Sequence, residues 1–112
     1  MESVITFDGT VLHLYRGTYP NGTVAIVAVD QDGNEWGVLT VNLGSPMQGD
    51  QLCYLDVNNM PRGLIRALCD SGVCRPTGLT GRSGYCEYPL VAIAARIPPL
   101  EEAERRRPEL AR

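Results

Sequence analysis

Residues 23–43, TVAIVAVDQDGNEWGVLTVNL, hold two apolar runs rich in β-branched residues on either side of Asp-Gln-Asp-Gly-Asn-Glu. Such a pair of runs around Asp32-Gly33 predicts a β-hairpin, because a type I′ turn needs positive φ at both central positions and Asp-Gly accommodates it. With a two-residue turn there, Val24 faces Val41, Ile26 faces Leu39 and Ala28 faces Gly37 on one side of the ribbon. Ala25 with Thr40, Val27 with Val38 and Val29 with Trp36 line the other. A ribbon that is apolar on both sides must be covered twice. It is therefore either central to the fold, or half of it meets a partner.

At 112 residues the chain is sized for one domain, able to bury roughly two-thirds of its unfolded surface. Twelve glycines and eight prolines argue for many turns and for more sheet than helix. The formal charge of −3 does not suggest a basic nucleic-acid binder, so direct binding to nucleic acid is not expected. The 13 acidic residues are scattered and do not run in rows, which argues against a mimic of the DNA backbone. All ten basic residues are arginine, five of them at or beyond Arg96, a distribution that follows no recognition pattern. Met1–Thr6 has no basic region ahead of an apolar one, and no apolar run approaches the ~20 residues needed to span a bilayer. A cytoplasmic protein that does not engage membranes, with reduced cysteines, is expected.

Residues 3–15 read as a first hairpin around Asp8-Gly9, with Ile5, Phe7, Leu12 and Leu14 on one face. Val4, Thr6, Val11, His13 and Tyr15 form a more polar opposite face. Arg16–Gly22, with Tyr-Pro-Asn-Gly, reads as a turn into the central hairpin, and residues 44–49 read as a loop around Pro46. Gln51–Val57 alternates as a fifth strand. A helix near residues 59–71 follows, capped by Asn58 or Asn59, with Pro61 in its first turn and Gly72 after its last. Leu64, Ile65, Leu68 and Cys69 share one helical face, and so short a helix depends on laying that face on the sheet. Val73–Leu79 and Tyr85–Ile97 read as two more strands, joined by Thr80–Gly84. The expected fold is α+β: a twisted antiparallel sheet of about six or seven strands with one short helix packed on one face. Leu39, Val41, Ile26, Leu64 and Leu68 should be core.

Residues 1–97 are read as the single α+β domain and 98–112, PPLEEAERRRPELAR, as a charged, partly disordered C-terminal tail. Glu101 and Glu102 stand four residues ahead of Arg105 and Arg106, the favourable orientation for helical ion pairs, and Pro108 would end that turn. A tail of this kind either stays solvated or docks as an arm.

Catalytic chemistry is not legible. His13 is the single histidine, on a strand, with no placed carboxylate or nucleophile beside it. There is no Gly-x-Ser-x-Gly turn and no glycine-rich phosphate loop, so a non-enzymatic protein is expected. Cysteines 53, 69, 74 and 86 lack the close pairs of zinc sites, the tightest spacing being Cys69-x4-Cys74. They read as small core hydrophobes, with no metal and no cofactor, and a zinc-stabilised module is a minor alternative. The residues with the strongest claim to a function are those of the second hairpin face, Val27, Val29, Trp36 and Val38, rimmed by Asp30, Asp32 and Glu35. Trp36 there is either a core residue or an interface anchor. If the face is free, it takes a protein partner; otherwise the chain's own strands or a twin subunit cover it.

Three runs, ITFDGTVLHL, YPNGTVAIVAVDQDGNEWGVLTVNL and SGVCRPTGLTGRSGYCEYPLVAI, together resemble a family of small domain-of-unknown-function proteins. Such proteins are typically encoded on bacterial conjugative elements, plasmids and phages. The similar pattern runs from Asn-Gly before an apolar strand, through Leu39–Leu43, to a late Gly-Tyr-x-x-Tyr-Pro strand. It covers most of residues 4–95. The family's usual acidic residue ahead of the helix is replaced here by Asn58-Asn59, and the cysteines lie outside the pattern. The resemblance implies a mobile-element accessory protein that inhibits a bacterial defence nuclease, of anti-CRISPR or anti-restriction type, by stoichiometric protein binding. The runner-up is a structural or regulatory accessory of conjugative transfer, or a small homodimer binding DNA.

Overall fold

The computed structural model describes residues 3–43, 51–61 and 63–103. Among them the chain forms strands β1 (Val4–Phe7), β2 (Thr10–Thr18), β3 (Val24–Val29), β4 (Glu35–Val38), β5 (Thr40–Val41) and β6 (Leu52–Leu55). Helix α1 (Leu64–Asp70) and the long hairpin β7 (Cys74–Ser83) and β8 (Cys86–Ile93) follow. The expected single sheet is divided into two antiparallel sheets of four strands, ordered β1-β2-β3-β4 and β5-β6-β8-β7. The protein is mostly β, and the chain turns helical once more at 100–103.

The division happens inside the central hairpin. Leu39 lies opposite Ile26, as expected, and donates its N–H to the Ile26 carbonyl at 2.8 Å. The Leu39 carbonyl, however, accepts from Asp56 N–H at 2.9 Å, and the next residues pair with β6 as Thr40↔Leu55 and Val41↔Tyr54. Thr40 and Val41 thus leave β3 and start the second sheet, so the expected Ala25–Thr40 and Val24–Val41 pairs do not form. Strands that switch sheets are the usual way to turn such a corner. The Thr40 hydroxyl replaces the lost ladder bond, accepting from Ile26 N–H at 3.2 Å and sharing a 3.1 Å bond with the Tyr19 hydroxyl.

The two sheets face each other across one core. The first contributes Ile5, Leu12, Leu14, Val24, Ile26 and Ala28; the second contributes Cys53, Leu55, Cys74, Val91 and Ile93. Helix α1 touches β1 and β7, one strand from each sheet, and inserts Leu64 and Leu68, both fully buried. Of the residues expected in the core, Leu39, Ile26, Leu64 and Leu68 are there, whereas Val41 is only half-buried. The reason is the sheet switch, which makes Val41 the partner of Tyr54 beside inward-facing Leu55.

The helix is shorter than the pattern suggested. It starts after Gly63, whose φ of +90° sets the chain's entry, and neither Asn58 nor Asn59 caps it. Asn59 donates instead to the Asp56 carboxylate at 2.9 Å, closing a turn ahead of the helix. Gly72, with φ of +84°, ends the helix as expected. In the late hairpin, β7 continues through residues 80–83, which were expected to be a connecting segment, and Ser83 pairs with Cys86 around Gly84-Tyr85. Pro76 and a bulge between Pro76 and Thr80 interrupt its exposed edge, devices that discourage another strand from pairing there.

Part of the outward face of the first sheet is also covered. Arg16 N–H donates to the Pro98 carbonyl at 2.7 Å, and Arg16 forms a parallel bridge with Pro99. Leu100 and Ala103 then pack on Tyr15, Val27 and Val29. Tyr15, expected on a polar face, is consequently buried. Packed structure therefore runs past residue 97, the expected domain boundary, to Ala103. The remainder of the tail, with its expected ion pairs, and the 44–49 loop lie outside the described residues.

Two substitutions test this architecture by chemical denaturation. Leu68→Ala should cost about 2–5 kcal/mol, a large share of the stability of a small domain. Thr40→Val keeps the side chain's shape but strips Ile26 N–H of its acceptor in a buried corner, and should cost about 1–3 kcal/mol.

Candidate functional site

Antiparallel pairing brings two acidic turns to one end of the first sheet. His13 of β2 lies opposite Val29, the last residue of β3. The residues before His13 lead to the Asp8-Gly9 turn, and those after Val29 lead to the Asp30–Asn34 loop, so both project from the same end. Asp8 and Gly9 have φ of 51° and 80°, the pair of positive values that a type I′ turn requires.

The second loop does not form the expected two-residue turn. Asp30 N–H donates to Asn34 O at 2.9 Å and Gly33 N–H to Asp30 O at 3.1 Å, which encloses a three-residue loop ending in a glycine at φ +84°. The Asp30 carboxylate organises it, accepting from the N–H groups of Asp32 at 3.0 Å and Asn34 at 2.9 Å. Through this choice of loop Val29 meets Glu35, where the two-residue turn would have paired it with Trp36. A bulge between Ala28 and Val29 then absorbs one residue, and the expected pairs Ala28–Gly37 and Val27–Val38 resume.

Trp36 sits at that bulge, and an extra residue re-aims a side chain. Its indole packs against the main core and meets Phe7 edge to face, with ring centroids 6.4 Å apart and planes at 77°. Phe7, Asp8, Thr10, Trp36 and Pro61 line an open cleft of about 490 Å³.

The residues selected from sequence are therefore separated. Val27 and Val29 are buried beneath Leu100 and Ala103. Val38 remains 43% exposed. Trp36, half-buried, belongs to the side on which Phe7 and the main core lie. Asp30 is engaged by its own loop, while Asp32 and Glu35 are exposed. Phe7, Asp8, Thr10 and Pro61 were missed, although a signal existed: successive hairpins place alternate turns at the same end of a sheet, and both turns carry Asp-Gly.

His13 is half-buried between Val4 and Val29 in the ladder. Among the described residues no three His, Cys, Asp or Glu side chains are grouped to hold a metal ion. Cys53 and Cys74 are buried free thiols; Cys69 and Cys86 are partly accessible. Burial, reinforced by the neighbouring Cys74, pushes the Cys53 thiol up to about 12, and burial with Cys69 nearby does the same for Cys74. Such thiols stay protonated and are poor nucleophiles.

Residues 11–107 match the family described as Domain of unknown function (DUF4313). The chain belongs to that family. No curated protein and no solved structure matches it. The DUF4313 match extends past residue 97 and so includes the segment that docks on Tyr15, Val27 and Val29. It starts after Phe7, Asp8 and Thr10, whereas Trp36 and Pro61 fall within it. Among the described residues no helix is long and apolar enough to cross a membrane.

The thiols give a pH dependence of known sign. A thiol in the unfolded chain ionises near 9.0, whereas Cys53 and Cys74 in the folded protein hold their protons to about 12. Their contribution is complete below the unfolded value and is lost as pH rises from there through the folded one. Denaturation midpoints should fall over that interval, and a Cys53→Ala/Cys74→Ala variant should show a smaller fall. In the wild type at neutral pH, a thiol reagent should label Cys69 and Cys86 before Cys53 and Cys74.

Proposed function

We propose that this DUF4313 protein is a non-enzymatic mobile-element accessory that inhibits a bacterial defence nuclease, of anti-CRISPR or anti-restriction type, by stoichiometric protein binding. The observation that carries the reading is the acidic end of the first sheet, where Asp8, Asp32 and Glu35 are exposed and Asp8 lines the cleft of Trp36 and Phe7. A nuclease binds polyanionic nucleic acid through a basic channel. Carboxylates held on two short turns and at the start of β4 complement such a surface and would speed the encounter, with an aromatic anchor beside Asp8. The resemblance of the sequence to proteins of conjugative elements, plasmids and phages supplies the biological setting.

A second reading, a DNA-binding accessory of conjugative transfer, draws on the β7–β8 arm. Tyr85 is fully exposed at its tip, with exposed Arg82 nearby and Leu79 63% exposed along the same strand. That reading requires salt-dependent binding to free duplex.

Asp8→Asn, Asp32→Asn and Glu35→Gln together remove charge without changing shape, and Asn is well suited to the positive φ at position 8. Trp36 and Asp30 are left in place because the core and the loop use them. The triple variant should melt like the wild type yet lose protection of a phage or plasmid in a host with intact defences. Undiminished protection by a folded triple variant would overturn this choice of surface.

A further inference from the structure

Resting on that proposed protein-binding role, we infer that the Trp36 cleft is a receptor for one arginine side chain presented by the basic surface of a protein partner. The cleft joins two features. Its walls are aromatic: Phe7 and Trp36 both line it and meet edge to face. Its rim carries the exposed Asp8 carboxylate. Asp32 on the neighbouring loop and Glu35 at the start of β4, both exposed, add negative charge at the same end of the sheet.

This combination favours one occupant. An apolar side chain would bury against the rings but gains nothing from the carboxylate, and an acidic one would be repelled. A cation is attracted both by the negative face of the indole and by Asp8. Between the two basic side chains, the planar, weakly hydrated guanidinium both stacks on an aromatic ring and donates two parallel hydrogen bonds to one carboxylate. Lysine offers a compact, strongly hydrated charge that does neither as well. The volume, about 490 Å³, accommodates such a side chain with room for the backbone that presents it.

Trp36 is the chain's one tryptophan, so its emission reports directly on the cleft. The full-length protein is titrated at low salt with nona-arginine, nona-lysine, nona-glutamate and N-acetyl-leucine amide. Nona-arginine should change Trp36 emission saturably, and more tightly than nona-lysine; the glutamate and leucine probes should leave it unchanged. Asp8→Asn should weaken nona-arginine binding about fivefold or more, as expected for loss of a charge-assisted contact. A remote variant, Asp70→Asn/Glu87→Gln, which changes net charge at the helix end and on β8, should bind within about twofold of wild type. Equal binding of nona-lysine, equal weakening by the remote variant, binding of the leucine probe or no response to nona-arginine would each overturn the arginine receptor. Protection assays on the same proteins separate the two claims. A protein that protects its element but ignores nona-arginine retains the inhibitory role and loses the arginine receptor. A protein that binds nona-arginine but neither protects nor captures a nuclease loses the role and keeps the receptor.

Discussion

The arrangement of this fold depends on one residue shared by two sheets. Leu39 gives its N–H to Ile26 in the first sheet and its C=O to Asp56 beyond the end of β6 in the second. A buried peptide left unpaired costs free energy comparable to a lost hydrogen bond, so the chain can change sheets only where both sides of the corner are satisfied. Thr40 completes that condition with its side chain, standing in for the backbone acceptor that Ile26 would otherwise lack. Because the corner holds β3 and β5 together, the inward residues of both sheets meet in one core. Helix α1, touching β1 and β7, closes the other side with Leu64 and Leu68.

The same strand explains why an all-apolar ribbon leaves little free apolar surface. Every residue of β3 is buried. One set of its side chains faces the second sheet, and the other set, Val27 and Val29, lies beneath Leu100 and Ala103. The segment after β8 is therefore part of the packed domain through Ala103. It is anchored by the bond from Arg16 N–H to Pro98, and the DUF4313 match runs through it. Of the hairpin face that sequence offered as a docking surface, Val27 and Val29 are covered, while Val38 stays exposed.

What remains available at that end of the molecule comes from a compensation between loop and strand. The Asp30 carboxylate stabilises a loop one residue longer than the expected turn, and a bulge restores the register by the time the strand reaches Gly37. Trp36 sits at the bulge and is re-aimed toward Phe7. An aromatic pair is thereby brought next to the Asp8 turn, forming a cleft from residues that are distant in sequence.

Much of the local structure was legible because it depends on short-range chemistry. Asp8-Gly9, Tyr19–Gly22 and Gly72 adopt the conformations their residue types favour, and the helical spacing correctly placed Leu64 and Leu68 in the core. The pairs Val27–Val38 and Ala28–Gly37 were likewise readable from the apolar pattern. The sequence by itself determined the identity of most strands, the inward face of the helix and the family. Only tertiary structure decided that the hairpin divides at Leu39, that the tail covers Val27 and Val29, and that Trp36 faces Phe7. Those choices turn on which hydrogen bonds can be satisfied together and on which distant surfaces meet, and neither a turn propensity nor a two-residue period carries that information.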